Sequence, residues 1–204
     1  MRRPSTMAGS DQPPLLMALS ILCPVAFVLL LPSLEALSWT DFPCAYPHND
    51  SWAVSHMILS PQASGLFAAV NSLVIYYAWT SKIRLKYRSS MLFNLTLTLF
   101  TIGYVGLVGF PLEWISDVPH WTAATLGSTS LLLAMAQFCW YEQSCVGWVA
   151  VLAGVILFAM CCVTSVSHPV FYAMECVGIA ATALAFPTMD ALLEAPKHAG
   201  YCSN

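Results

Sequence analysis

One stretch decides the fold: QASGLFAAVNSLVIYYAWTSKIRLKYRSS, residues 62–90. Its first part, 62–80, is an apolar run of about the length that a helix needs to cross a bilayer. The cations that follow it directly are Lys82, Arg84, Lys86 and Arg88. Loops on the cytoplasmic side of a membrane carry an excess of Lys and Arg. The stretch therefore predicts a transmembrane helix whose C-terminal end faces the cytoplasm.

The rest of the chain divides into five further apolar spans. The complete set of predicted spans is 14–37, 62–80, 91–112, 121–141, 146–166 and 170–193. The remaining basic residues are Arg2, Arg3 and Lys197, near the two chain ends. All basic residues then fall on one side of the bilayer, as the positive-inside rule requires. We predict an all-α membrane protein with six transmembrane helices and both termini in the cytoplasm.

The composition excludes several classes of protein. The chain has 204 residues, of which 58% are hydrophobic and 8% charged, whereas a soluble domain has about 25% charged residues. The lipid bilayer is therefore the first partner expected. Six spans fill the length and leave a single domain, 1–204. A net charge of −3 without a basic stripe gives no indication of nucleic-acid binding. The first span is longer than a signal-peptide core of about 7–15 residues, so we expect it to be retained.

A few polar residues of the spans and outer turns are candidates for a polar site inside the bundle. They are Asn71, His120, His168 and Glu175. Glu175 stands out because an ionisable group within a span is costly and usually faces the bundle interior or a cavity. These residues have three interpretations: structural pairing, sensing of luminal pH, or catalysis. Dense zinc patterns such as H-x-x-x-H are absent from the sequence, and we predict no metal, no cofactor and no catalytic residue.

Other candidate sites lie in the loops. Asn49 begins an Asn-Asp-Ser acceptor pattern in the outer loop between the first two spans, and predicts glycosylation there. The cysteines near the inner face, which are candidates for palmitoylation, are Cys139, Cys145 and Cys202. The basic segment, Ser81–Ser90, either only fixes the topology or also contacts anionic inner-leaflet lipids or a partner through its four cations.

Small residues within the spans predict close contacts between helices, because they let two backbones approach. The spacing Gly103-x-x-Gly106-x-x-Gly109 occurs in the third span. Ala123 and Gly127 are four residues apart in the fourth span, and Gly178 lies in the sixth.

The order of these features resembles one known family. It comprises the damage-regulated autophagy modulators (DRAM), the FGF-receptor-activating protein with its relatives in GPI-anchor remodelling, and the yeast Sfk protein of phosphoinositide signalling. The resemblance lies in Ser60–Tyr87 (SPQASGLFAAVNSLVIYYAWTSKIRLKY), in Gly106–Gln137 and in His168–Leu192. Cys176 stands where the family carries a tryptophan after the glutamate. The resemblance implies a six-span regulator in the plasma membrane or an endomembrane (lysosome, endosome, Golgi or ER).

The function predicted from these observations is a non-enzymatic membrane regulator or adaptor of the autophagy, phosphoinositide or GPI-lipid-maturation type. Its partner would be a membrane or cytoplasmic protein that docks on the inner loops. One alternative is a lipid-modifying enzyme with an outer-side His/Glu cluster around His120, His168 and Glu175. Another is an accessory subunit of a larger membrane complex.

Overall fold

The computed structural model describes residues 13–36, 54, 58, 60–109, 118–163 and 168–195. All regular elements in this part of the chain are α-helices, so the predicted all-α class is confirmed. The long helices are α1 (Pro14–Ala36), α2 (Pro61–Thr80), α4 (Met91–Gly109), α5 (Val118–Glu142), α6 (Cys145–Val163) and α7 (His168–Glu194). A five-residue helix, α3 (Lys82–Lys86), follows α2.

Three of these helices are long and apolar enough to cross a membrane. The segments concerned are Pro14–Leu34 in α1, Val118–Glu142 in α5 and Val170–Glu194 in α7. The apolar segments Met91–Leu107 and Cys145–Cys161 in α4 and α6 are shorter. Each predicted span overlaps one long helix. A membrane protein is therefore supported, whereas the number of crossings and the side of each chain end stay predictions.

Helix α1 packs on α2 and α7 through one face. Phe27, Val28 and Leu31 are buried at helical spacing, and Phe27 contacts Phe67 of α2. Pro32 lies within α1 and has no N–H to donate to the carbonyl of Val28, four residues earlier. The hydroxyl of Tyr172, on α7, donates to that carbonyl. A neighbouring helix thus satisfies the backbone group that the proline leaves unpaired.

The closest approach of two helices joins α4 and α5. A Cβ added at Gly103 would lie 2.2 Å from the backbone nitrogen of Gly127 and 2.8 Å from the carbonyl oxygen of Ala123. The two backbones are therefore in direct contact, and the predicted packing role is confirmed for Gly103 and Gly127. Among the described residues, a Cβ at Gly109 or Gly178 would meet nothing within 4 Å, so no close helix contact is described at these two positions.

The main hydrophobic core joins α2, α4, α5, α6 and α7 towards the end of the bundle that carries α3. Its largest fully buried side chains include Phe93, Phe100, Phe138 and Phe186. Ile83 of α3 is also fully buried in this core. The basic segment is therefore anchored in the helix bundle by an apolar side chain in its middle.

Candidate functional site

The basic segment has a defined backbone. Ser81 is the N-cap of α3, and its Oγ accepts from the backbone N–H of Arg84 at 3.3 Å. At the other end, Asn94 donates from Nδ2 to the carbonyl oxygen of Arg88 at 2.9 Å. Serine at an N-cap satisfies one of the N–H groups that a helix start leaves unpaired. The four cations therefore lie on a fixed turn of chain.

A carboxylate from α7 completes the start of α3. Asp190 is buried, with 6% of its surface exposed. Its Oδ1 accepts from the N–H of Ile83 at 2.8 Å. Its Oδ2 accepts from the N–H of Lys82 at 3.1 Å and from the hydroxyl of Tyr77 at 3.0 Å. One side chain thus satisfies two unpaired amides of α3 and ties α2, α3 and α7 together.

Sequence reasoning missed Asp190. The rule that drew attention to Glu175, that an acidic residue inside an apolar helix has a specific partner, applies equally to Asp190. The sequence shows Asp190 four residues before Glu194 at the end of the last span. Its partners are more than 100 residues away in the sequence, at the end of α2. Only the packing of α7 against α2 shows that its carboxylate reaches backbone amides.

The four cations predicted as contact residues of the basic segment fall into two groups, the two lysines and the two arginines. Lys82 forms an ion pair with Glu194 of α7, and Lys86 forms one with Glu142 at the end of α5. The hydroxyl of Tyr87 also donates to Glu142. The Glu142 side chain is only 14% exposed, so its pair with Lys86 is partly shielded from water. Both lysines are therefore engaged within the chain.

The two arginines differ from the lysines. The guanidinium of Arg84 lies over the ring of Trp79, 5.5 Å from the centroid. Its Nε is buried and has no hydrogen-bond partner among the described residues. Arg88 is exposed, and among the described residues neither arginine forms an ion pair. Leu85, between them in sequence, is an exposed apolar side chain with 45% of its surface accessible.

Asn71, the first member of the predicted polar site, joins two helices within the bundle. It is buried, and its Nδ2 donates to the carbonyl of Phe67 at 2.8 Å. Its Oδ1 accepts from the hydroxyl of Tyr104, on α4, at 2.5 Å. Both polar groups of the amide are used, so Asn71 is a structural link between α2 and α4.

Glu175 contacts the chain that precedes α2. Its Oε2 accepts from the N–H of Val54 at 2.6 Å. The carbonyl of Val54 in turn accepts from the N–H of Ile58 at 3.1 Å, the hydrogen bond of a helical turn. The carboxylate therefore holds the start of a turn against α7. This contact supports the structural interpretation of Glu175.

The two histidines lie at the starts of α5 and α7. His120 is buried, and its ring meets that of Trp121 edge to face at 6.0 Å between centroids. Trp121 packs in turn against Phe171 of α7 at 6.4 Å. His168 is the first residue of α7, and its side chain lies outside the described part of the structure. The contacts described above for Asn71, His120 and Glu175 are with different neighbours.

Two of the four candidate modification sites lie in the described part of the structure. Cys139 is buried, with 1% of its surface exposed, and Cys145 is in a disulfide bond. Neither thiol is accessible to an acyl chain in this structure. Asn49 and Cys202 lie outside the described residues.

The described residues contain no group of three or more His, Cys, Asp or Glu side chains that could hold a metal ion. No family model, curated protein or solved structure matches the chain. The basic segment, with its hydrogen bonds and ion pairs, is the best-defined candidate for a functional surface among the described residues. The resemblance to the DRAM family stays a prediction.

Proposed function

We propose that this chain is a six-span membrane regulator or adaptor with both termini in the cytoplasm, and that the basic segment is its contact surface. The observation that carries the proposal is the carboxylate of Asp190, which holds the backbone of the basic segment in place. A positive loop that served only to orient the protein during insertion would not need a buried carboxylate to define its shape. A defined shape is what a contact surface requires.

The contacts at this end of the bundle support the proposed topology. Lys82 follows the end of α2, Glu142 ends α5 and Glu194 ends α7. The ion pairs Lys82–Glu194 and Lys86–Glu142 therefore bring the C-terminal ends of three helices to the same side. That is the arrangement of an alternating six-span bundle in which α2, α5 and α7 run towards the cytoplasm.

The type of regulation is proposed from the resemblance to the DRAM family. It would be autophagy, recruitment of a phosphoinositide kinase, or GPI-lipid maturation, in an endomembrane or the plasma membrane. The inner surfaces available to a protein partner in this topology are the basic segment, the α5–α6 turn and the C-terminal tail. The hydrogen bonds of Asn71 and Glu175 support a structural role for the polar residues elsewhere in the bundle.

Proximity labelling in intact cells tests the proposal. A labelling enzyme fused to the C-terminus would be compared in the wild type and in a variant with Lys82, Arg84, Lys86 and Arg88 all changed to Gln. We expect a defined set of cytoplasmic neighbours in the wild type and the loss of that set in the variant. Protease protection of the tag confirms that the topology is unchanged in both.

A second variant separates the adaptor from the alternative enzyme. Changing His120, His168 and Glu175 to Gln leaves the basic segment intact and removes the side chains that a lipid-modifying enzyme would use. The adaptor retains its neighbours in this variant, and lipid composition does not change. Retention of all neighbours in the first variant, with altered lipids in the second, would refute the adaptor in favour of the enzyme.

A further inference from the structure

The four cations of the basic segment are not equivalent. The two lysines are neutralised by carboxylates of the same chain, Lys82 by Glu194 and Lys86 by Glu142. The two arginines have no ion pair within the described residues. The positive charge that remains for an external anion is therefore carried by Arg84 and Arg88.

Arg84 is held ready for such an anion. Its guanidinium lies over the ring of Trp79, 5.5 Å from the centroid, and its Nε is buried, so its terminal nitrogens are the donors that can reach an anion. Arg88 lies four residues further along, where Asn94 fixes its carbonyl. Leu85 places an exposed apolar side chain between them in sequence. Two cations and an apolar side chain at a helix end match the boundary between lipid headgroups and acyl chains.

We propose that Arg84, Arg88 and Leu85 form a binding site for an anionic phospholipid of the inner leaflet, whereas Lys82 and Lys86 are paired with carboxylates of the same chain. The two guanidinium groups contact the headgroup phosphates, and Leu85 lies against the acyl chains. Arginine suits this role because its planar fork can donate two parallel hydrogen bonds to one phosphate. The inference rests on the proposed topology, which places the basic segment at the inner leaflet.

The size of the surface favours a lipid over a protein as the direct ligand. A stable protein interface buries about 800 Å² on each partner, and a five-residue helix with one short turn offers much less. A single headgroup needs only a few donors. Juxtamembrane cations each contribute about 1 kcal/mol of attraction to an anionic leaflet, so two arginines are enough to select an anionic lipid over a neutral one.

Native mass spectrometry of the detergent-purified full chain tests the site. The protein would be mixed in turn with dioleoyl-phosphatidylcholine, dioleoyl-phosphatidylserine and dioleoyl-phosphatidylinositol 4-phosphate, and the fraction with bound lipid measured over a concentration series. The variants are R84Q/R88Q and, as a matched control that removes the same charge, K82Q/K86Q. We expect the wild type to prefer both anionic lipids, and R84Q/R88Q to lose roughly tenfold or more of that preference. K82Q/K86Q should retain at least half of it.

Two results would overturn the site. The first is equal loss in both double variants, which would indicate attraction by net charge alone. The second is an unchanged preference in R84Q/R88Q. Thermal unfolding of each variant checks that it is folded, and Arg88→Gln replaces R84Q/R88Q if the latter unfolds, because Arg88 is exposed.

The outcomes for the lipid site and for the adaptor can be told apart. Absence of lipid preference, together with neighbours that still depend on the basic segment in cells, would refute the lipid site and leave a protein as the ligand. Lipid preference that depends on Arg84 and Arg88, together with unchanged neighbours in the quadruple Gln variant, would support the lipid site and refute the adaptor.

Discussion

Asp190 and Glu175, two carboxylates of α7, have different kinds of partner. Asp190 accepts three hydrogen bonds from two other helices, and Glu194 and Glu142 pair with two lysines at the same end of the bundle. Glu175 accepts from the N–H of Val54, in the segment that precedes α2. The end of the bundle that carries α3 is therefore a network that joins helix ends, whereas the described hydrogen bond of Glu175 joins α7 to that preceding segment. An acid in a membrane helix can thus organise helix ends or hold a neighbouring segment, and its donors decide which.

Of the changes considered, removal of the Asp190 carboxylate should reduce stability the most. We expect Asp190→Ala to lower the free energy of unfolding by roughly 3 kcal/mol, because three buried donors lose their acceptor. Thermal or denaturant unfolding in detergent measures the loss. Asp190→Asn keeps one acceptor oxygen and should lose less. Equal stability of Asp190→Ala and wild type would show that the network is not formed.

The glycine contact between α4 and α5 involves neither carboxylate. Gly103→Ala places a Cβ where the backbone of Gly127 stands, and overpacking of this kind costs about 1–3 kcal/mol. The matched control is Gly178→Ala, which meets open space and gains helix propensity. A lower melting temperature for Gly103→Ala alone is expected. The same melting temperature for both variants would contradict the direct backbone contact.

Tyr104→Phe tests the polar link inside the bundle. The change leaves Oδ1 of Asn71 without its donor, and an unsatisfied buried acceptor costs roughly 1–2 kcal/mol. Denaturant unfolding measures the loss. The double variant Tyr104→Phe with Asn71→Leu should recover part of it, since both polar partners are then removed. Additive losses in the double variant would exclude a direct bond.

Glu175→Ala tests the other carboxylate of α7. We expect faster hydrogen exchange at the Val54 amide, because this amide donates to the carboxylate, with a smaller loss of global stability than for Asp190→Ala. Glu175→Gln retains an oxygen acceptor and should keep most of the protection at Val54. A loss of global stability as large as that of Asp190→Ala would show that Glu175 belongs to a network of the same kind.

Loss of a lysine ion pair should have the smallest effect on stability among these variants. Lys82 and Glu194 have side chains that are 39% and 59% exposed, and exposed ion pairs contribute about 0–1 kcal/mol. Lys82→Gln should therefore change the melting temperature less than Lys86→Gln, whose partner Glu142 is 14% exposed. Both effects should shrink at high salt. A larger effect for Lys82 would mean that burial of Glu142 does not strengthen its pair.

The helices could be predicted from the sequence because bilayer-length apolar runs are a strong local signal. The six predicted spans fall on the six long helices, and their ends differ by a few residues. Helix α5, for example, begins at Val118 and not at Trp121, because Pro119 is well suited to a first helical turn. The close approach at Gly103 and Gly127 was also readable, since small residues mark such contacts.

The candidate site was only partly predictable, because its contacts join distant parts of the chain. The cluster of cations was evident, but its division into paired lysines and unpaired arginines depends on the position of Glu142 and Glu194 at other helix ends. The sequence shows that Asp190 is an acid in an apolar span, but it does not show that the carboxylate accepts hydrogen bonds from α2 and α3. Gly109 and Gly178 show that a glycine in a span does not always mark a helix contact, since a Cβ at either position would meet none of the described residues within 4 Å.

Glu175 and Asp190 lie towards opposite ends of α7, and their spacing sets a length. Glu175 and Asp190 are fifteen residues apart, which corresponds to about 22 Å along a helix axis. In the proposed topology they hold the outer loop and the basic segment at opposite faces of a hydrocarbon layer about 30 Å thick. The vertical separation of the two segments is then fixed by α7, while bilayers differ by several ångströms between organelles. The protein would therefore match one membrane thickness best, and hydrophobic mismatch would contribute to where in the cell it resides.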